Sequence, residues 1–384
     1  MTSLSQRVSS LSPFLAMDVQ RAAQQERAKG RHIVNMSIGE PGQGLPQQVT
    51  ETIQARLGQE KVGYTDATGN QDLRARIARH YDEWYGVKVS PERIFITTGS
   101  SSAFLFIFLA CFDIGQKVGI AQPGYPAYPN LLKGLGLEPV YLPGRYDFGY
   151  QPSIEDLKAV PDLAGLMIAS PNNPTGSMLS NKDQMALMDY CRTAGITYIS
   201  DEIYHGLHYG DKPSTALAFD DQAIVINSFS KYFLMTGWRL GWMVLPEHFV
   251  RPIEKIAQSF IISPPTLSQH AAVNIFDCYA ELDQAVAHYR TNRDLLLQAL
   301  PTMGFNKIAP ADGAFYLYID ISDFSNDSMT FCQEMLSDIG VATTPGIDFD
   351  PDRGHRFMRI SYSTDTAEIK EGIRRLQNWE RLKA

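Results

Sequence analysis

A lysine stands at position 231 behind a Ser-x-Ser step, Ser228-Phe229-Ser230-Lys231, and an arginine follows inside Gly237-Trp238-Arg239-Leu240-Gly241. The apolar run Ala223-Ile224-Val225-Ile226 leads into this stretch, so the lysine is carried on the loop after a strand. Parallel-sheet proteins bind ligands at the carboxyl ends of their strands, a setting that suits a reactive amine. The hydroxyls of Ser228 and Ser230 and the guanidinium of Arg239 are donors of the kind that hold a phosphate. A Schiff-base lysine beside phosphate donors is the pairing that pyridoxal phosphate requires. An isolated Ser-Lys pair would read as a solvated loop; the continuous pattern 228–242 points to the site.

Other residues have the chemistry to complete it. Asn173 lies in Ser170-Pro171-Asn172-Asn173-Pro174-Thr175-Gly176, where proline pre-sets a turn and glycine permits positive φ, so the amide is held in one direction. Asp201 follows the run Ile196 to Ser200 and is expected buried at a strand end. A carboxylate there needs a cationic partner, which a protonated pyridine nitrogen supplies; capping the next segment is the alternative. Tyr204 is three residues on. Gly99-Ser100-Ser101-Ser102 precedes an apolar helix, where backbone N–H groups and the helix dipole favour an anion, and where serines also serve as ordinary caps. Tyr125, in Pro123-Gly124-Tyr125-Pro126, offers a ring that can stack on a pyridine or pack in its turn. Arg359, between Met358 and Ile360, suits bidentate capture of a carboxylate unless it faces water from an edge strand.

Each of these side chains needs an element to carry it. Runs at about 94–98, 118–121, 139–142, 165–169, 196–199, 223–226 and 240–245 read as strands, with a helical stretch over 182–194 and helices broken by Pro264-Pro265 between 247 and 300. This rhythm predicts an α/β fold with a mostly parallel sheet. Strand-like 315–319 and 357–362, with helices around 328–339 and 366–381, predict a smaller α+β unit. It is expected to close over the site together with the N-terminal segment, whose helix around 14–28 ends at Lys29-Gly30.

The 384 residues, 44% hydrophobic and 20% charged, suffice for a large domain plus a smaller one. A net charge of −8 argues against a nucleic-acid or anionic-membrane surface. The apolar run Ala103 to Phe112 is too short to cross a bilayer, and no signal-peptide core is evident near Arg7 and Leu15. Cys111, Cys191, Cys278 and Cys332 are scattered without a Cys-x-x-Cys pattern, which predicts reduced thiols in a cytoplasm and no metal site.

The ordered motifs from roughly residue 35 to 370 resemble those of the class I/II, fold-type I pyridoxal-phosphate-dependent aminotransferases, the aspartate aminotransferase superfamily. The resemblance implies a large domain over 41–280 with a mostly parallel seven-stranded sheet between helices. Residues 1–40 and 281–384 would form the small domain. It implies that Lys231 holds the cofactor, that Asp201 meets its ring nitrogen, and that Asn173 and Tyr204 reach its phenolic oxygen. Ser100, Ser101, Ser228, Ser230 and Arg239 would hold the phosphate, and Tyr125 would lie at the ring. Gly39 in Met36-Ser37-Ile38-Gly39-Glu40-Pro41 and Arg359 would face the substrate carboxylate, with Asn173 beside them. Tyr64, in Gly63-Tyr64-Thr65-Asp66, would reach the phosphate of a neighbouring subunit, which implies a homodimer, though a packed surface tyrosine is the plain alternative.

The implied reaction moves an amino group from an L-amino acid to a 2-oxo acid by a ping-pong route, with Lys231, Asp201 and Tyr204 as catalytic residues and glutamate with 2-oxoglutarate as the expected second pair. The same residues also suit a carbon–sulfur β-lyase. A non-catalytic pyridoxal-phosphate-binding regulator is disfavoured by the intact Lys231 and by the lack of room for a DNA-binding domain. No arginine can be assigned to a side-chain carboxylate, so substrate identity stays open.

Overall fold

The computed structural model describes residues 3–58 and 62–382. Its strands, in chain order, are β1 (Val34–Asn35), β2 (Ile94–Thr97), β3 (Lys117–Gln122), β4 (Glu138–Pro143), β5 (Leu163–Ala169), β6 (Thr197–Asp201), β7 (Ile224–Ser228), β8 (Gly241–Val244), β9 (Tyr316–Asp320), β10 (Val341–Ala342), β11 (Thr344–Pro345) and β12 (Phe357–Ser361). Seven of them form one sheet in the order β2-β8-β7-β6-β5-β3-β4. The neighbours from β4 through β7 run parallel, and β8 alone is antiparallel to both of its partners.

Side-chain alternation sorts this sheet between two apolar layers. Ile94, Ile96, Leu166, Ile168, Val225, Trp242 and Val244 enter one core, which they share with Leu73 and Ile77 of the helix Gln71–Tyr85 and Leu187 of the helix Asn181–Ala194. Their neighbours Phe95, Met167, Ile224, Ile226 and Met243 point the other way, toward Phe104 and Ile107 of Gly99–Cys111 and Ile253 of Glu247–Phe260. The sheet is therefore flanked by helices on both faces, as the alternating pattern predicts.

The register brings the functional ends into line. Ala169 pairs with Asp201, Asp201 with Ile226, Ser228 with Gly241 and Gly241 with Thr97. The reversed strand follows from the loop after β7. Lys231 leaves β7 at its carboxyl end, and the chain returns through the short helical turn Thr236–Trp238, so β8 starts at the edge where β7 stopped. Arg239 makes this return with φ 51°, an unusual left-handed conformation for a side chain with a Cβ. It is thereby kept on the same edge as Lys231.

The remaining strands form two small sheets. In the antiparallel sheet β11-β12-β9, Thr344 and Tyr318 flank Arg359. β12 is the middle strand, which disposes of the water-facing edge alternative for Arg359. In the other sheet β1 runs parallel to β10, with Val34 opposite Val341. These two-residue strands carry too little pattern to stand out in the sequence.

Candidate active site

Along the aligned strand ends lies a cavity of about 420 Å³. Its walls include Lys231, Asn173, Tyr204, Tyr125, Gly39 and Arg359, and its floor the four serines Ser100, Ser101, Ser228 and Ser230 with Arg239. Of the residues expected at a site within one chain, all but Asp201 line the cavity directly. Asp201 is buried behind the wall.

Lys231 Nζ donates a 2.6 Å hydrogen bond to the Gly39 carbonyl oxygen. Burial, helped by Arg359 and Arg239 and opposed by Glu40 and Asp201, lowers its pKa to about 8. An amine poised there can both take and give a proton near neutral pH. Gly39 is required by close approach, because a Cβ on it would stand 2.2 Å from the Tyr316 hydroxyl oxygen.

The anion end is built from the first turn of Gly99–Cys111. The serines expected ahead of that helix lie inside it, where backbone N–H groups have no intrahelical acceptor. Gly99 has φ +67°, and a Cβ there would come within 2.7 Å of Arg239 Nη2, so only glycine leaves room for the guanidinium over the helix end. Across the gap, Ser230 N donates 3.1 Å to Ser228 Oγ, fixing the loop that carries the lysine.

Asp201 accepts from the Tyr128 hydroxyl and, at 3.2 Å, from Ile203 N. The cap role read as an alternative is thus also present. It makes no ion pair among the described residues, and burial raises its pKa to about 7. A buried carboxylate without a cation fits a protonated pyridine nitrogen. With the serine and arginine cradle at one end and Lys231 between, the residues present fit pyridoxal phosphate.

At the opposite wall Arg359 is 3% exposed. Its Nη1 donates 2.9 Å to Asn173 Oδ1, and its Nη2 donates 2.6 Å to the Ser37 carbonyl and 3.3 Å to Thr344 Oγ1. The guanidinium carbon is 4.4 Å from the Tyr316 ring centroid and 4.7 Å from that of Phe349. Nε has no hydrogen-bond partner among the described residues. A guanidinium held this way, buried and without an ion pair among the described residues, is prepared for a carboxylate from outside. The Tyr204 hydroxyl shares a 2.9 Å hydrogen bond with that of Tyr316.

Tyr125 packs edge-on against Phe14 at 5.7 Å and Tyr128 at 5.3 Å. Tyr64 is 81% exposed and does not line the cavity of its own chain. Sequence reasoning missed Tyr128, Tyr316 and the contribution of Phe14, Met17 and Gln20 to the mouth. Tyr128 was visible beside Tyr125, but nothing in the sequence linked it to a carboxylate 73 residues away. No cluster of His, Cys, Asp or Glu able to hold a metal occurs among the described residues, and no helix among them is long and apolar enough to cross a membrane.

A lysine with a lowered pKa, a phosphate cradle and a buried acid on one sheet edge define a pyridoxal-phosphate enzyme, and the chain belongs to the aminotransferase class I and II family, whose profile matches residues 31–376. It is a pyridoxal-phosphate-dependent aminotransferase. It is 44% identical over 372 residues to the valine–pyruvate aminotransferase of Mycobacterium tuberculosis, with 96% of each chain covered. A crystal structure of an aminotransferase from Mycobacterium tuberculosis superposes with a TM-score of 0.96 at 43% identity, over 99% of both chains. Aspartate aminotransferase from Thermus thermophilus, solved with maleate, gives a TM-score of 0.92 at 29% identity, over 98% of this chain and 99% of that one.

Proposed function

We propose that this aminotransferase acts on a neutral amino acid with an apolar side chain and passes the amino group to a small monocarboxylic 2-oxo acid such as pyruvate. The observation that carries this reading is the charge inventory of the cavity. Its charged lining residues are Glu40, Lys231, Arg239 and Arg359. Once the cofactor has taken Lys231, its phosphate Arg239 and the α-carboxylate Arg359, no cation remains in the cavity lining, among the described residues, for a second carboxylate. Phe14, Ala16, Met17 and Ile38 supply apolar lining instead. By the same count pyruvate suits the site better than 2-oxoglutarate. The name of the 44% identical valine–pyruvate relative agrees with this choice.

Bound pyridoxal phosphate supplies an electron-withdrawing ring conjugated to the substrate nitrogen. In the proposed division of labour Arg359 clamps the substrate carboxylate and so orients the α-hydrogen. Lys231 Nζ would take the proton from the α-carbon and return it to the carbon on the other side of the substrate nitrogen, two bonds away. The carboxylate of Asp201, itself fixed by Tyr128, keeps the proton on the ring nitrogen. Asn173 uses Nδ2 toward the phenolic oxygen, because arginine has no acceptor and Oδ1 must therefore face Arg359. Tyr204 adds its hydroxyl on the same side.

The reading includes a homodimer in which Tyr64 serves the partner's phosphate. Support comes from the exposure of Tyr64 and of the large apolar side chains Val62, Phe260 and Ile262, which association could cover. Four free cysteines suit a reducing cytoplasm. The division into a domain over 41–280 and one from 1–40 with 281–384 is supported by the pairing of β1 with β10 and by the confinement of the large sheet to residues 94–244.

The test is a spectrum of the holoenzyme titrated with neutral, acidic and aromatic L-amino acids, followed by assay of oxo-acid release. Valine-like amino acids should convert the lysine-bound cofactor band and support pyruvate amination best. A preference for aspartate or glutamate would overturn the substrate reading, and ammonia release from a cysteine-type amino acid would move it to a lyase.

A further inference from the structure

The helix Leu15–Ala28 brings Phe14, Met17 and Gln20 to the cavity, yet it has no cap of its own. Phe14 occupies the N-cap position and contributes no side-chain hydrogen bond. The first amides are satisfied from a distant part of the chain. Leu15 N donates 2.8 Å to Asp348 Oδ1, and Ala16 N donates 3.1 Å to Asp348 Oδ2. One carboxylate thus takes two helix amides, with its charge at the positive end of the helix.

Asp348 closes the short turn Gly346–Asp348, and the residue after it reaches two further walls of the site. The Phe349 ring lies under the Arg359 guanidinium at 4.7 Å. The Phe349 carbonyl accepts 3.0 Å from Gly124 N, next to Tyr125, whose ring meets Phe14. A single turn therefore touches the arginine expected to hold the substrate carboxylate, the aromatic loop and the helix at the mouth. Ala16, Met17 and Gln20 share one helix face, and Met17 is 55% exposed, so that face is open for a substrate side chain to cover.

We infer that Asp348 is a positioning residue that holds Phe14, Met17 and Gln20 over the cavity mouth and thereby sets which amino-acid side chains the enzyme accepts. The inference rests on the proposal that this cavity takes a neutral amino acid. It goes beyond it by assigning selectivity to a carboxylate that never touches the substrate. On this inference the larger apolar side chain of valine, with more surface to bury, gains more from an ordered helix than the methyl of alanine does.

The experiment has two readouts on the full-length holoenzyme. In hydrogen exchange, Asp348→Ala should speed exchange of the Leu15 and Ala16 amides and the following turn about tenfold, with the sheet strands unchanged. In steady-state kinetics, KM for valine should rise about tenfold with kcat within about threefold, while KM for alanine moves far less. Asp348→Asn, which keeps the shape and one acceptor, should fall between the two proteins, and it carries the same test where the alanine variant does not fold. Unchanged exchange at Leu15 and Ala16, or a KM rise equal for alanine and valine, overturns the assignment. The exchange readout involves no substrate, so failure of the latch is separable from failure of the substrate proposal.

Discussion

Asn173 Oδ1 accepts a 2.9 Å hydrogen bond from Arg359 Nη1, so the amide expected at the cofactor oxygen and the guanidinium expected at the substrate carboxylate hold one another. The two binding events share a joint. Asn173 comes from the loop after β5 and Arg359 from β12, 186 residues later, so their contact also ties the two sheets together at the site.

Arg359→Lys should lower kcat/KM for a neutral amino acid about 100-fold, because an ammonium cannot reproduce the planar fork that spans Asn173 and the incoming carboxylate. Asn173→Ala should cost less in that background than in the parent protein. A four-cornered kinetic cycle measures the coupling, and strictly additive losses would show that the two residues act independently.

Asp201 gives the cofactor-free protein a pH signature. Its pKa is raised by burial to about 7. Between the ordinary aspartate value and about 7 the folded chain keeps a proton that the unfolded chain has lost, so stability falls as pH rises from about 4 to about 7. Asp201→Asn should flatten roughly half of that decline in thermal melts. A remainder should persist, because Glu202 is raised by burial to about 8 and has the same sign. Lys231 has the opposite sign: the folded chain sheds its proton first, at about 8, so Lys231→Met should remove a gain in stability between about 8 and about 10. A melting profile that Asp201→Asn leaves unaltered would contradict the burial argument.

Gly39→Ala should disable the enzyme through a single atom. The new Cβ would meet the Tyr316 hydroxyl oxygen at 2.2 Å, whereas the ring carbon bearing it is 3.2 Å away. Removing that oxygen should therefore relieve much of the damage. We expect Gly39→Ala to lower kcat/KM by about 100-fold or more, consistent with misplacement at a reacting centre, and Gly39→Ala with Tyr316→Phe to regain at least about tenfold of it. No recovery in the double variant would place the cost in the backbone rather than in the clash.

If Tyr64 completes the partner's site, two inactive proteins should rescue each other. Lys231→Ala and Tyr64→Ala would be co-expressed and assayed at limiting pyridoxal phosphate. Random pairing makes about half the dimers hybrids with one intact site of two, which restores about one quarter of parental activity. Activity no higher than the sum of the separate variants would assign Tyr64 to its own chain or to the surface.

The sequence made the large sheet legible because its strands are short apolar runs delivering polar loops, and each of the seven falls within a few residues of its expected place. Lys231, Asn173 and Arg359 could be singled out because their motifs are local. What stayed hidden was set by tertiary contact. Tyr128 matters through Asp201, and Tyr316 through Gly39 and Tyr204, pairings that no spacing reveals. The two-residue strands β1, β10 and β11 exist only because their partners are present. Gly39 itself was expected from family resemblance alone; the packing against Tyr316 supplies the physical reason it has no side chain.

The link between β1 and β10 bears on how the protein is made. The Ser37 carbonyl is held by Thr344 and Arg359, which follow it by 307 and 322 residues. A ribosome releases the chain from its N-terminus, so the Ser37 carbonyl emerges long before Thr344 and Arg359 exist to bind it. The seven-stranded sheet, complete by Val244, can fold during that interval. The Ser37 carbonyl therefore gains its two partners only late in synthesis, after every residue of the phosphate cradle has been made.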